Sequence, residues 1–239
     1  MSNNRKSWDT FEAMRAAAQE GDPQAQCYLG VCYQNGQGVE QNHHEAVRWF
    51  RKAADQNDPV AQCYLGVCYW IGQGVPQEFG EAAKWLREAA EQGDPAAMFN
   101  LGMLYETGHG VPQNYAEAVK WYRESAQRGY PAAQFNLGVF YETGQVVPQD
   151  FGEAVKWYHA AAEQELADAQ CNLGLCYQTG RGVMQNSAVA VQWFIRAARQ
   201  GNKTAQHNLG VHYAASEQLA ETAAEEAALA AEIEKNTPR

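Results

Sequence analysis

Residues 25–33 read Ala25-Gln26-Cys27-Tyr28-Leu29-Gly30-Val31-Cys32-Tyr33, and the recurrence of this stretch decides the fold. Its Leu-Gly pair returns at Leu65-Gly66, Leu101-Gly102, Leu137-Gly138, Leu173-Gly174 and Leu209-Gly210, each time 36 residues on. Self-similarity at a fixed period marks a repeat architecture. Around every pair lies Ala-x-x-x-Leu-Gly-x-x-Tyr, whose named apolar positions at i, i+4 and i+8 form one stripe of a helix. A glycine inside a helix costs about 1 kcal/mol against alanine. Its return at one position predicts that another helix approaches closely there.

A second helix follows in each period. The first copy runs from Glu45 to Ala54 and carries Trp49-Phe50, which returns as Trp85-Leu86, Trp121-Tyr122, Trp157-Tyr158 and Trp193-Phe194. Ala46, Phe50, Ala53 and Ala54 share a helical face, while Trp49, about 100° away, is expected to reach the next repeat. Gly36 and its equivalents at 72, 108, 144 and 180 end the first helix, where left-handed geometry favours glycine. A second glycine follows at 38, 74, 110 and 182, but the fourth copy has Val146. Either that position tolerates negative φ or the fourth loop differs. Asn42, Asn114, Asp150 and Asn186 are placed to cap the second helix, with Glu45, Glu117 and Glu153 at capping-box spacing. Asp22-Pro23, Asp58-Pro59 and Asp94-Pro95 open the first helix; the fourth copy keeps Pro131, and the fifth has Leu166-Ala167.

The pattern predicts an all-α chain, a right-handed α-solenoid of 36-residue helix-turn-helix repeats forming one domain over 1–239. Residues 7–23 are an N-terminal half repeat, 24–203 five full repeats (24–59, 60–95, 96–131, 132–167, 168–203), and 204–235 a half repeat with a capping helix. That last helix would turn Leu219, Leu229 and Ile233 inward and its acidic residues outward.

With a net charge of −10 and a pI near 5.1, the chain lacks the basic face that nucleic acids or anionic membranes require. No apolar run approaches the ~20 residues of a membrane helix, and the polar start from Met1 to Asp9 lacks the apolar centre of a signal peptide. Cys27, Cys32, Cys63, Cys68, Cys171 and Cys176 form three pairs with the same five-residue spacing and no CxxC motif. A reducing, cytoplasmic location with free thiols is the expectation.

The motif Ala-x-x-x-Leu-Gly-x-x-Tyr-x-x-Gly-x-Gly-Val-x-x-(Asn/Asp), completed by Glu-Ala-x-x-Trp-(Phe/Tyr)-x-x-Ala-Ala, resembles the Sel1-like repeat, a relative of the tetratricopeptide repeat. The resemblance covers about 180 residues and implies a scaffold or adaptor for protein–protein interaction, with no catalytic residues and no cofactor. One secreted, cysteine-rich branch has been described as penicillin-binding or β-lactamase-like, which supplies the alternative. In that branch a cysteine early in the first helix pairs with one late in a second helix. Gln26 and Ala54 stand at those places here, so the pairing does not carry over.

Cys171, Cys176, His207 and His212 suggest a zinc site by residue type, but five-residue spacing sends each pair to different helix faces, and packing is the reading preferred. The other histidines, His43, His44, His109 and His159, have no recurrent partner. By analogy with related solenoids, the first helices line a concave groove. The row entering it is Tyr28, Tyr64, Asn100, Asn136, Asn172 and Asn208, followed by Val31 and its equivalents, then Gln34, Trp70, Glu106, Glu142 and Gln178. Its amides can serve an extended peptide as donor and acceptor, or bond to neighbouring helices as part of the repeat. The aromatic end at Tyr28, Tyr64 and Trp70 and the acidic middle at Glu106 and Glu142 suit a protein or peptide with apolar and basic side chains. A monomer is expected, with self-association through an uncapped end as the alternative.

Overall fold

The structure is a computed structural model that describes residues 10–212 and Ala214. The expected capping helix with Leu219, Leu229 and Ile233 lies outside the described residues, as does the start through Asp9. First helices are α2 (Pro23–Asn35), α4 (Pro59–Ile71), α6 (Pro95–Thr107), α8 (Pro131–Thr143), α10 (Ala167–Thr179) and α12 (203–212). Second helices are α1 (Phe11–Glu20), α3 (His43–Ala54), α5 (Phe79–Glu91), α7 (Tyr115–Gln127), α9 (Phe151–Ala162) and α11 (Ser187–Arg199). No strand occurs among the described residues. The chain forms two compact units, one ending at Gln149 and one beginning at Asp150.

Capping accounts for the helix boundaries. The Asp22, Asp58 and Asp94 carboxylates accept the Ala25, Ala61 and Ala97 N–H groups at 3.0, 2.8 and 2.7 Å, ahead of the prolines. Tyr130 and Leu166, at the equivalent places, provide no side-chain cap. Asn42, Asn114, Asp150 and Asn186 do cap the second helices. The reciprocal half of the capping box is replaced, however. The Asn42 and Asn114 N–H groups donate to the Tyr33 and Tyr105 carbonyls at 2.9 and 2.8 Å. Glu45 and Glu153 instead pair with Arg48 and Lys156 at 2.6 and 2.5 Å; for Glu45, the Tyr33 carbonyl of the first helix has already taken the donor that the glutamate would accept. Helix α1 starts later than the repeat register implies, at Phe11, with the Thr10 hydroxyl accepting from Ala13 N–H at 3.1 Å.

In the unit ending at Gln149, each core layer joins a first helix to the second helices on either side. Phe50, Leu65, Cys68, Ala82 and Trp85 belong to one buried cluster; Leu86, Met98, Leu101 and Leu104 belong to the next. The tryptophans face backward rather than onward. Trp49 packs on the cluster of Met14, Ala18 and Leu29, and Trp85 on that of α3 and α4. The residue beside each, Phe50 or Leu86, fills the space left by Gly30 or Gly66 on its own repeat's first helix. In the unit beginning at Asp150, Phe194 does the same against Gly174 within the cluster of Cys171, Ala190 and Ala197.

Buried glutamines add a polar stitch. Gln26 Nε2 donates to the Ala18 carbonyl at 3.1 Å, and its Oε1 accepts from Gln56 Nε2 at 2.8 Å. Gln170 repeats both bonds, to Ala162 and from Gln200, at 3.1 and 2.9 Å. The third copy has Met98 and Arg128 in place of this pair; Arg128 turns to the Glu124 carbonyl of its own helix, at 3.2 Å. The amide pair is thus exchanged as a unit, so neither member leaves a buried amide facing an apolar partner.

The second loop position does demand positive φ. Gly38, Gly74, Gly110 and Gly182 lie at φ 72–75°, and Val146 is held at 69°. For a β-branched residue this is strained by about 1–2 kcal/mol, and Val146, 48% exposed, has little packing to lose. Val146→Gly therefore raises stability by about 1 kcal/mol, seen as a melting temperature roughly 2–4 °C higher. An unchanged or lower melting temperature would show that the loop is not strained.

Candidate functional site

On each first helix the fully buried stripe, Ala25 and Leu29 in α2 for example, adjoins a row of a different character. In the unit ending at Gln149 the row holds Tyr28, Tyr64, Asn100 and Asn136, then Val31, Val67, Met103 and Val139, then Gln34, Trp70, Glu106 and Glu142. All are half-buried except Tyr28, which is 49% exposed. In the unit beginning at Asp150, Asn172, Leu175, Gln178 and Asn208 are half-buried and Val211 is exposed. Such surfaces offer large side chains to a partner while their bases stay anchored.

The anchoring is visible residue by residue. The Tyr64 ring stacks on Phe50 with centroids 4.9 Å apart and planes 8° from parallel. Trp70 packs against the clusters on both sides of α4. Asn100 Nδ2 lies 3.7 Å from Cys63 Sγ, whose thiol in turn donates to the Asp94 carboxylate. Glu106 accepts the Tyr122 hydroxyl at 2.5 Å, and Asn136 donates to that same hydroxyl oxygen. The Asn208 amide nitrogen is buried with no hydrogen-bond partner among the described residues. The asparagines therefore do not stand as a uniform ladder: Asn100 and Asn136 each commit a donor to a neighbouring helix.

A further set of residues fixes the third line of the row and was overlooked at the level of sequence. Gln41, Gln77, Gln113, Gln149 and Gln185 recur at the 36-residue period in the loops. Each side chain donates back seven residues to the carbonyl of Gln34, Trp70, Glu106, Glu142 or Gln178, at 2.7–2.9 Å. Their periodicity was the available signal; a polar loop residue simply carries no chemistry until its partner is known.

The six cysteines are buried thiols, not disulfide sulfurs. Among the described residues, no group of three or more His, Cys, Asp or Glu is placed to hold a metal ion; His207 is exposed, whereas Cys171 and Cys176 are buried. Burial pushes the Cys32 and Cys171 thiols up and Cys68 to about 11; at Cys63, burial and then the Asp94 carboxylate do the same. Burial, followed by the bond to Glu106, also raises Tyr122. These groups are protonated in folded and unfolded chains alike below the ordinary thiol value of 9.0. Above it the unfolded chain ionises first, so stability is full up to that point and is lost as pH rises toward 11 and beyond. Thermal melts from pH 8 upward should show this decline. At pH 8 the native Cys68 should react with a thiol reagent roughly a hundredfold more slowly than an ordinary cysteine, reaching normal rates only in denaturant.

With this geometry established, comparison with known proteins places the fold in a family. The Sel1 repeat matches residues 23–58, 59–94, 95–130, 131–166 and 167–202, and the chain belongs to the Sel1 repeat family. A solved Sel1 repeat protein from Oxalobacter formigenes is 37% identical with a TM-score of 0.79, over 84% of this chain and 58% of its own. A protective antigen of uropathogenic Escherichia coli, which displays an SLR fold, is 36% identical with a TM-score of 0.75, over 84% and 43%. The present chain thus spans about half the length of these two relatives. An immunity protein from Pseudomonas aeruginosa, 21% identical with a TM-score of 0.56 over 81% of this chain and 74% of its own, shares the fold alone. The comparison with curated proteins returned no match. Sel1 repeat proteins are generally protein-interaction scaffolds and generally not enzymes. No helix among the described residues is long and apolar enough to cross a membrane.

Proposed function

We propose that this chain is a non-catalytic adaptor that holds an extended protein segment along the first-helix row, on the face that is concave in helix-pair solenoids. The observation that carries the reading is the row itself: in the unit ending at Gln149, large aromatic, amide and acidic side chains stay part-exposed beside a stripe of alanine and leucine buried to 1% or less, and in the unit beginning at Asp150 Asn172 and Gln178 do so beside Ala169 and Leu173. Rigid aromatic anchors ringed by polar groups are what binding hot spots are made of. Tyr28, Tyr64 and Trp70 would seat apolar side chains, and Glu106 and Glu142 would receive basic ones. Asn100 and Asn136 in one unit, and Asn172 and Asn208 in the other, would present amide oxygens to backbone N–H groups of a bound segment. The buried thiols support a reducing compartment such as the cytoplasm, and they lend nothing to a lactam-binding role built on disulfides.

The test selects binders from a displayed library of extended peptides mixing basic and apolar residues. The selected peptide is then titrated against Tyr28→Ser and against the double variant Asn136→Ala with Asn172→Ala. Each should weaken binding about tenfold, the loss of one or two good contacts, with the helical circular dichroism unchanged. Wild-type affinity in both would remove the row as the site.

A further inference from the structure

A pocket of about 470 Å³ lies on the solvent side of α3, between that helix and the loop after α4. Buried Val47 and half-buried Val75 give it an apolar floor, and its rim carries Arg48, Arg51 and Lys52 against the single carboxylate of Asp55. Two of the three cations rest on neutral partners: Arg51 donates to the Tyr69 hydroxyl, and Lys52 Nζ sits 4.1 Å above the Trp49 ring. Their charge is therefore held in place without being cancelled. Among the described residues, Arg48 is the one of the three with an ion pair, to Glu45 at 2.6 Å.

No other repeat of this unit has the same rim. At the position of Lys52 the next two second helices carry Glu88 and Glu124, and at that of His44 they carry Gly80 and Ala116. A cationic pocket is unexpected on a chain of net charge −10, which makes the character of its occupant legible. That character is acidic with an apolar anchor. The chain contains such a segment. Residues 215–234 hold Glu217, Glu221, Glu225, Glu226, Glu232 and Glu234 with no basic residue, and they interleave Leu219, Leu229 and Ile233.

We propose that the α3 pocket docks the Glu-rich segment 215–234 of a second copy of this chain. Carboxylates would meet Arg48, Arg51 and Lys52, and an apolar side chain would rest on Val47 and Val75. The pocket belongs to the first full repeat and the segment follows the fifth, so the contact is heterologous and joins copies head to tail. Because the rim is exposed, the association weakens with salt.

Sedimentation velocity on the full chain at rising concentration tests this, alongside anisotropy of a labelled synthetic peptide of residues 215–234. Wild type should gain mass with concentration and bind the peptide. Lys52→Glu with Arg48→Glu should stay at monomer mass and bind the peptide at least about tenfold more weakly. This variant gives α3 the glutamate that α5 and α7 already have at the Lys52 position, and circular dichroism confirms that it folds. Mixing it with a Glu225→Lys, Glu226→Lys chain should restore mixed complexes. A wild type of constant monomer mass overturns the proposal, as does association that survives reversal of the pocket. Association lost on reversing the pocket but kept on reversing the segment would assign the pocket to another acidic surface and overturn this occupant.

Discussion

Gly102→Ala lowers the stability of the protein by about 3 kcal/mol, at the upper end of what one added methyl costs in a packed interior. A Cβ at this position would lie 2.8 Å from two atoms of the Tyr122 ring and 3.3 Å from the Ala118 carbonyl. The ring cannot yield. Its centroid is 5.6 Å from that of Phe99 and 6.0 Å from that of Phe140, and its hydroxyl is bonded to Glu106 at 2.5 Å. Helix propensity alone predicts the opposite sign, a gain of about 1 kcal/mol. Gly80→Ala supplies the control: nothing lies within 4 Å of its Cβ, and it should gain most of that propensity. Urea denaturation of both variants separates the two effects. A neutral Gly102→Ala would mean that the helices part freely, and the close-approach account of the repeat would fail.

Phe50→Ala costs about 4 kcal/mol, since truncating a wholly buried phenylalanine adds a cavity to the lost transfer energy. Its consequence extends to the binding row. Phe50 fills the space above Gly30 and is the surface on which Tyr64 stacks, so the variant loosens Tyr64 as well as the core. Phe50→Leu should cost only about 1 kcal/mol, because Leu86 performs the same task over Gly66 in the next repeat. Denaturation midpoints with tyrosine fluorescence would show both losses; a destabilised variant with unaltered Tyr64 environment would contradict the coupling.

Most of the architecture was legible in the residues. The 36-residue return of Leu-Gly located the helix pairs, and Asp-Pro, Asn and Gly located their ends, because caps and left-handed turns are decided within four or five residues of chain. The row of half-exposed side chains was legible for the same reason, as it lies a fixed angle from the buried stripe on each helix. Individual roles within it were not. Nothing in the Asn100 neighbourhood of the chain announces Cys63, 37 residues away, and nothing beside Asn136 announces the Tyr122 hydroxyl.

Three features show where local reasoning stopped. The capping box was half right, since the N–H that Glu45 would have satisfied is taken by Tyr33. Trp49 turned backward because the direction of a side chain off a helix is settled by which neighbour offers apolar surface, not by its angle alone. Val146 takes the same positive φ as the glycines at its position, so the repeat geometry overrides the preference of the residue.

The sequence by itself determined the period, the helices, the turns and the family, all of which follow from short-range periodicity and backbone chemistry. Only the tertiary structure decided which polar groups are already spent on one another and where charge is left over. The Gln26–Gln56 stitch, the Glu106–Tyr122–Asn136 chain and the cationic rim over Val47 join residues far apart in the chain or depend on which of them pair. Hydrogen bonding and charge pairing depend on distance in space, which the period constrains but does not state.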